Sequence, residues 1–186
     1  MADNNAKNVS VGKPQIGGAV FFAPAGTTLP NDASTQLAEA FVNAGFISED
    51  GVTNAIETDS EEIKAWGGDI VLNPQTSYSE SYSMTFIEGN KTTYGVVFGE
   101  ENVTVAEVTG AISIKHNGKE REERVLVVET LHGEFVKRQV IPRAKLKEVG
   151  EIAYKDDEAV GYEVTISALP DASGNTAYEY IAKVTE

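Results

Sequence analysis

Ser77-Tyr78-Ser79-Glu80-Ser81-Tyr82-Ser83-Met84-Thr85-Phe86-Ile87 is the stretch that decides the fold class. Its even positions are Tyr78, Tyr82, Met84 and Phe86, interrupted only by Glu80, and its odd positions are small hydroxyl residues as far as Thr85. Successive side chains of a strand point to opposite faces of a sheet, so this alternation reads as a strand with one face on a core and the other presenting only hydroxyls.

Working outward, residues 91–98 form a short helix capped by Asn90, with Tyr94, Val97 and Phe98 spaced to face the core and Gly99 placed where a helix ends. Gly95 inside that helix costs roughly 1 kcal/mol relative to Ala, so the helix depends on packing. Beyond it the pattern is β throughout. Residues 111–115 alternate and lead into Asn117-Gly118, a strong hairpin signal. Val125-Leu126-Val127-Val128 is apolar on both faces and reads as a central strand, and residues 135–141 continue the sheet up to Pro142. Residues 151–154 and 161–168 read as a hairpin around Lys155-Asp156-Asp157-Glu158, and residues 176–184 as a last strand. On the N-terminal side, residues 19–23 are a short buried strand. Ser34 is placed to cap a second short helix at residues 36–42, with Leu37, Ala40 and Phe41 on one side. Residues 46–76 are acidic and poor in apolar residues; they read as a long excursion carrying a loose hairpin. Residues 1–15 read as a flexible polar arm and residues 16–186 as a single domain. Regularly spaced strands with turn signals predict a mainly β sandwich or barrel with one or two accessory helices.

Of the 186 residues, 41% are hydrophobic and 24% charged, as in ordinary globular proteins. No run approaches the ~20 apolar residues of a membrane-spanning helix. Absence of cysteine removes disulfides, thiolate nucleophiles and Cys-ligated zinc together. The net charge of −14 argues against gripping nucleic acid, because phosphate binding needs clustered Lys and Arg. His116 and His132 sit beside turn glycines, outside any metal-ligand spacing, and read as turn residues. Phosphate loops and nucleophile elbows are missing, and the serine-rich face of residues 77–83 has no nearby His in sequence. Adjacent carboxylates such as Glu61-Glu62 and Asp156-Asp157 read as solvated loops. Neither an enzyme nor a cofactor or metal site is expected.

Charge is unevenly distributed. The excursion carries Glu57, Asp59, Glu61, Glu62 and Asp69 against Lys64, whereas residues 137–147 carry Lys137, Arg138, Arg143, Lys145 and Lys147 without an acid. Opposite patches on one chain suit either head-to-tail association of copies or two unrelated solvated surfaces.

The order of features resembles the tail tube (major tail) proteins of long-tailed siphophages. The resemblance rests on Val11-Gly12-Lys13-Pro14 through Gly17-Gly18-Ala19-Val20-Phe21, on Gly45-Phe46-Ile47-Ser48-Glu49-Asp50-Gly51-Val52, on Ile63-Lys64-Ala65-Trp66-Gly67-Gly68-Asp69, and then on the 77–87 strand and 90–99 helix. It implies a tail-tube-type β-sandwich or barrel with a flanking helix, whose copies form stacked, hexameric rings around a DNA channel. It implies a virion protein made in the host cytoplasm, with itself and the tape measure, tail terminator and distal tail proteins as partners. DNA would pass without specific binding, and no membrane would be involved. Carried onto this chain, the long inter-subunit or inter-ring loop is about residues 48–75, including Trp66, and the arm is residues 1–14. The face of Ser77, Ser79, Ser81, Ser83 and Thr85 is the candidate lumen border. The acidic loop is expected to meet the basic 137–147 segment of a neighbour. Two other readings stay open: a β-sandwich binding module such as an adhesin or carbohydrate-binding domain, with Trp66 as its platform, and another virion part such as a tail terminator.

Overall fold

The computed structural model describes residues 9–15 and 18–183; most of the expected N-terminal arm lies outside them. The strands, in chain order, are β1 (Lys13–Pro14), β2 (Val20–Pro24), β3 (Val42–Asn43), β4 (Ile47–Ser60), β5 (Ile63–Lys64), β6 (Ile70–Leu72), β7 (Gln75–Phe86), β8 (Val103–Val105), β9 (Ile112–Ile114), β10 (Arg124–His132), β11 (Phe135–Val149), β12 (Tyr162–Ala168) and β13 (Tyr178–Lys183). Among the described residues there is one α-helix, α1 (Lys91–Phe98), between β7 and β8. The protein is mainly β, as the alternation in β7 requires.

Nine strands form one sheet along the path β3-β2-β10-β11-β12-β7-β4, with β1 added on β10 and β13 on β11. The two ends of that path, β3 and β4, are separated in sequence only by residues 44–46. The sheet therefore has to curl until its ends approach. Phe22 of β2 and Phe86 of β7, with three strands between them along the path, meet edge to face with ring centroids 6.1 Å apart. Backbone bonds staple the seam: the Ala44 N–H donates to the Val20 carbonyl at 2.9 Å, and the Ile87 N–H to the Phe46 carbonyl at 3.0 Å.

The parity of β7 holds where the strand lies on the body. Tyr82, Met84 and Phe86 are buried with Val20, Phe22, Leu126, Ile141, Val164 and Ile166, and α1 covers the cluster with Val96 and Val97. Each such side chain contributes roughly 1.5–3 kcal/mol by leaving water. Asn90 caps α1 as expected, its Oδ1 accepting from the Thr93 N–H at 2.9 Å. The Asn90 amide and Thr93 hydroxyl both donate to the Ala44 carbonyl at 2.9 Å, which seats the helix on the seam. A second cluster, with Phe41, Val125, Val127 and Val140, lies on the opposite face beneath residues 25–41.

Four local expectations are corrected. Residues 36–42 are not helical. Leu37 and Phe41 are packed against the second cluster, but the Asp32 carboxylate accepts the Ser34 N–H at 2.7 Å and the Thr35 hydroxyl at 2.6 Å, and Arg138 takes the Thr35 carbonyl at 2.9 Å that a helix would use. Pro142 does not end its strand, because β11 runs on to Val149 and Pro142 sits where the β10–β11 register slips; bulges tolerate proline. Asn117-Gly118 is not a hairpin turn: β9 pairs back onto β8, and the Asn117 amide instead donates to Asn102 Oδ1 at 2.7 Å. Residues 151–154 form no strand, since β12 pairs with the second half of β11.

The excursion carries a hairpin, as expected, but a long and regular one: β4 is a 14-residue strand paired with β7 from Val52 opposite Met84 to Asp59 opposite Ser77. Backbone pairing needs no apolar residues, so a polar sequence extends as a ribbon with no core beneath it.

Candidate assembly surfaces

The first surface is that ribbon. Residues 56–79 are all exposed, so the distal β4–β7 arms and the β5–β6 tip stand clear of the body. At the tip the Ala65 N–H donates to the Asp69 carbonyl at 2.8 Å and the Gly68 N–H to the Ala65 carbonyl at 3.0 Å. Gly67 and Gly68 turn the chain with φ of 126° and 101°, a region other residues avoid. This presents Trp66 fully to solvent, beside exposed Ile63, Ile70, Val71 and Leu72. Glu57, Asp59, Glu61, Glu62 and Asp69 are exposed along the same ribbon; Glu62 pairs with Lys64 at 3.3 Å and Asp59 accepts from the Ser77 hydroxyl at 2.8 Å. A lone two-stranded ribbon is marginally stable in water, and exposed apolar clusters of this kind are where proteins commonly meet partners.

The second surface is the hydroxyl face of β7. Residues directly opposite in an antiparallel pair share a face. Ser77, Ser79, Ser81 and Ser83 lie across from Asp59, Glu57, Ala55 and Thr53 of β4. Ser81, Ser83 and Thr85 lie across from Ser167, Thr165 and Glu163 of β12. The structure thus widens a single-strand observation into a three-strand face of small hydroxyls and carboxylates. The Ser83 and Thr165 hydroxyls are 3.2 Å apart. Lys145, opposite Ser167 on β11, marks its border.

The basic segment is less available than its sequence suggests. Lys137 pairs with Glu179 at 2.8 Å, Arg143 with Glu123 at 2.8 Å, and Lys145 with Glu120. The hydrogen bonds from Lys145 and Arg143 hold the Glu120 and Glu123 carboxyls below the ordinary carboxylate range. Arg138 is buried: its Nε lies 2.6 Å from Glu129 Oε1, and its other nitrogens donate to the Asp32 carbonyl at 2.8 Å and the Thr35 carbonyl at 2.9 Å. Lys147 is exposed, with no acid at ion-pair distance among the described residues. Glu123, Glu120 and Glu179 come from segments 20 or more residues away, whereas Glu129 faces Arg138 across the β10–β11 hairpin.

Sequence reasoning gave no role to Glu80, which is buried at the root of the ribbon among Asn54, Tyr78, Tyr82 and Thr176. Its signal was present as the one polar residue on the apolar parity of β7. Among the described residues there is no group of three or more His, Asp or Glu able to hold a metal ion. His116 stacks on Phe98 with ring centroids 4.3 Å apart, and His132 sits between the hydroxyls of Ser10 at 2.8 Å and Thr130 at 2.9 Å. No helix among the described residues is long and apolar enough to cross a membrane.

The whole chain, residues 1–186, matches the family described as phage tail tube protein. No curated protein matches it. Among solved structures it is similar to the cap of the anti-feeding prophage, a tube-terminating cap, at 9% identity with a TM-score of 0.40, covering 95% of this chain and 96% of that one.

Proposed function

Because this chain belongs to the phage tail tube protein family and is therefore a structural component of the virion tail, we propose that it polymerises as stacked hexameric rings into the hollow tube through which DNA leaves the particle. The observation that carries the proposal is the ribbon: residues 56–79 are exposed and end in Trp66, Ile63, Ile70 and Leu72, an apolar tip with no contact surface on its own body. A second copy supplies that surface. Among the described residues the outer edge of β4 is an unpaired strand border at one end of the sheet path, and a ring of copies protects such borders from uncontrolled pairing.

The three-strand hydroxyl and carboxylate face borders the lumen in this reading. It lets DNA slide because it sets neutral hydroxyls and carboxylates against the phosphates, with Lys145 at its border already paired to Glu120. Contact between copies comes chiefly from the apolar tip. Charge pairing between the acidic ribbon and the basic 137–147 segment is the weaker part, since four of those five cations already have acids in their own chain. Partners at the tube ends and inside it are other tail proteins: tape measure, terminator and distal tail protein.

Electron microscopy of the purified chain at high concentration tests the proposal. Long tubes are expected, together with their loss in a folded Trp66→Ala variant. Persistent monomers would overturn it, and single rings that never stack would favour a terminator.

A further inference from the structure

Glu80 is 7% exposed, yet no Lys or Arg lies within ion-pair distance of it among the described residues. Its partners are neutral donors. Oε1 accepts from the Asn54 amide at 2.9 Å and the Tyr82 hydroxyl at 3.1 Å. Oε2 accepts from the Tyr78 hydroxyl at 3.2 Å and from the Thr176 hydroxyl. Both carboxylate oxygens are thus satisfied, which closes the site to a metal ion or an added ligand. Burial alone pushes this carboxyl up, but the hydrogen bonds from Thr176, Asn54, Tyr82 and Tyr78 outweigh it and hold the group below the ordinary carboxylate range. The group stays anionic at neutral pH, so the bonds it accepts are charge-assisted and strong.

The position of these donors matters more than their number. Residues 56–79 are exposed, so Glu80 is the first buried residue of β7 where the ribbon joins the body. Asn54 comes from β4, Tyr78 and Tyr82 from β7, and Thr176 from the connection that precedes β13. That connection is itself ordered: Asp171 accepts the Tyr178 hydroxyl at 2.7 Å and the Asn175 N–H at 3.0 Å. Between the ribbon root and β13 lies a cleft of about 520 Å³ bordered by Gln139 and Glu179. Without a tie across this cleft, a two-stranded ribbon is free to pivot and twist at its root. An apolar side chain at position 80 would leave these donors unpaired and could not make that tie.

We propose that Glu80 is a positioning residue for assembly: by tying both arms of the ribbon root to the connection before β13, it fixes the angle at which the ribbon leaves the body and so where its apolar tip meets a second copy. This rests on the reading that the tip contacts a neighbouring subunit. The role is largely separable from core stability, because three of the four donors, Asn54, Tyr78 and Thr176, belong to the ribbon root and one connection, and only Tyr82 belongs to the core.

Hydrogen exchange of the full-length chain, read segment by segment beside electron microscopy of tubes, tests it with Glu80→Ala, Glu80→Gln and, as a core control, Ile166→Ala. Glu80→Ala is expected to speed exchange of the β4 and β7 amides near the root by about tenfold or more, the factor for losing a charge-assisted bond, with β10 and β11 little changed. Tubes become fewer or shorter. Glu80→Gln keeps the size, and the Tyr78 and Thr176 hydroxyls can turn to accept from its amide, so it recovers most of both properties. If Glu80→Ala fails to fold, Glu80→Gln carries the comparison, with a smaller increase confined to the ribbon root. An increase spread evenly over the sheet, as expected for Ile166→Ala, or normal tubes from folded Glu80→Ala, would overturn the proposal. Wild-type protein that forms no tubes would instead defeat the tube reading, while the exchange pattern still decides whether Glu80 holds the ribbon.

Discussion

Replacing Arg138 with Met removes the cation from a buried pair and is expected to be the most damaging single change outside the apolar core. The Arg138 and Glu129 side chains are only 5% and 6% exposed. Without Arg138 the Glu129 carboxylate stays buried with no countercharge, a situation that costs about 3–5 kcal/mol. The Asp32 and Thr35 carbonyls also lose their donor, but they lie in a surface segment where water can replace it, so they add little directly. Their release loosens residues 25–41, the lid over the second cluster, and that effect points the same way. For a chain of this length the loss corresponds to a melting temperature lower by ~10 °C. Urea unfolding of wild type, Arg138→Met, Glu129→Leu and the double variant gives the cycle. The double variant should recover about half or more of the single-variant loss, because two apolar side chains of similar volume leave no unpaired charge. Loss below about 1 kcal/mol for Arg138→Met, or strictly additive losses, would refute the account.

Three further outcomes are expected. Thr35 and Ser34 hydrogen bonds hold the Asp32 carboxyl down at about 2 from an ordinary 3.8, so its contribution is present above pH 3.8 and fades as pH falls toward 2; thermal melts of wild type and Asp32→Asn should differ at neutral pH and converge across that window. Gly95→Ala should stabilise the protein by roughly 0.5–1 kcal/mol in urea unfolding, because a methyl there meets only ordinary contacts at 3.7 Å or more while α1 gains a better helix former. Lysines introduced together at Ser81 and Ser83 should leave melting nearly unchanged, as both positions are partly exposed, but should make assembled tubes retain added DNA in a salt-dependent way; salt-independent behaviour equal to wild type would argue against a lumen position for that face.

Much was legible without coordinates where the signal was local. The parity of residues 80–86, the Asn90 cap and the Gly99 stop are local chemistry, and each appears in the structure where the sequence places it. The scarcity of apolar residues after Val52 correctly marked a segment with no core of its own. It did not reveal a 14-residue strand, because pairing with β7 uses backbone groups that every residue carries. The helix expected at residues 36–42 failed for a tertiary reason: Arg138, more than a hundred positions away, takes the Thr35 carbonyl.

Residue types and their spacing thus determined the β class, the face that is buried, the hydroxyl surface and the absence of a recognisable catalytic motif, since each depends on side-chain period and local capping alone. Only the folded chain decided which charges are spent and which remain free. Lys137, Arg138, Arg143 and Lys145 look uncompensated in sequence, and the fold brings Glu179 and Glu129 of the sheet and Glu123 and Glu120 of the connection before β10 to them. It likewise turned Glu80 from an interruption in a pattern into the anchor of a projecting ribbon. Coulomb and hydrogen-bond partners are fixed by distance in space, and chain order carries almost no information about that distance once strands far apart in sequence become neighbours in a sheet.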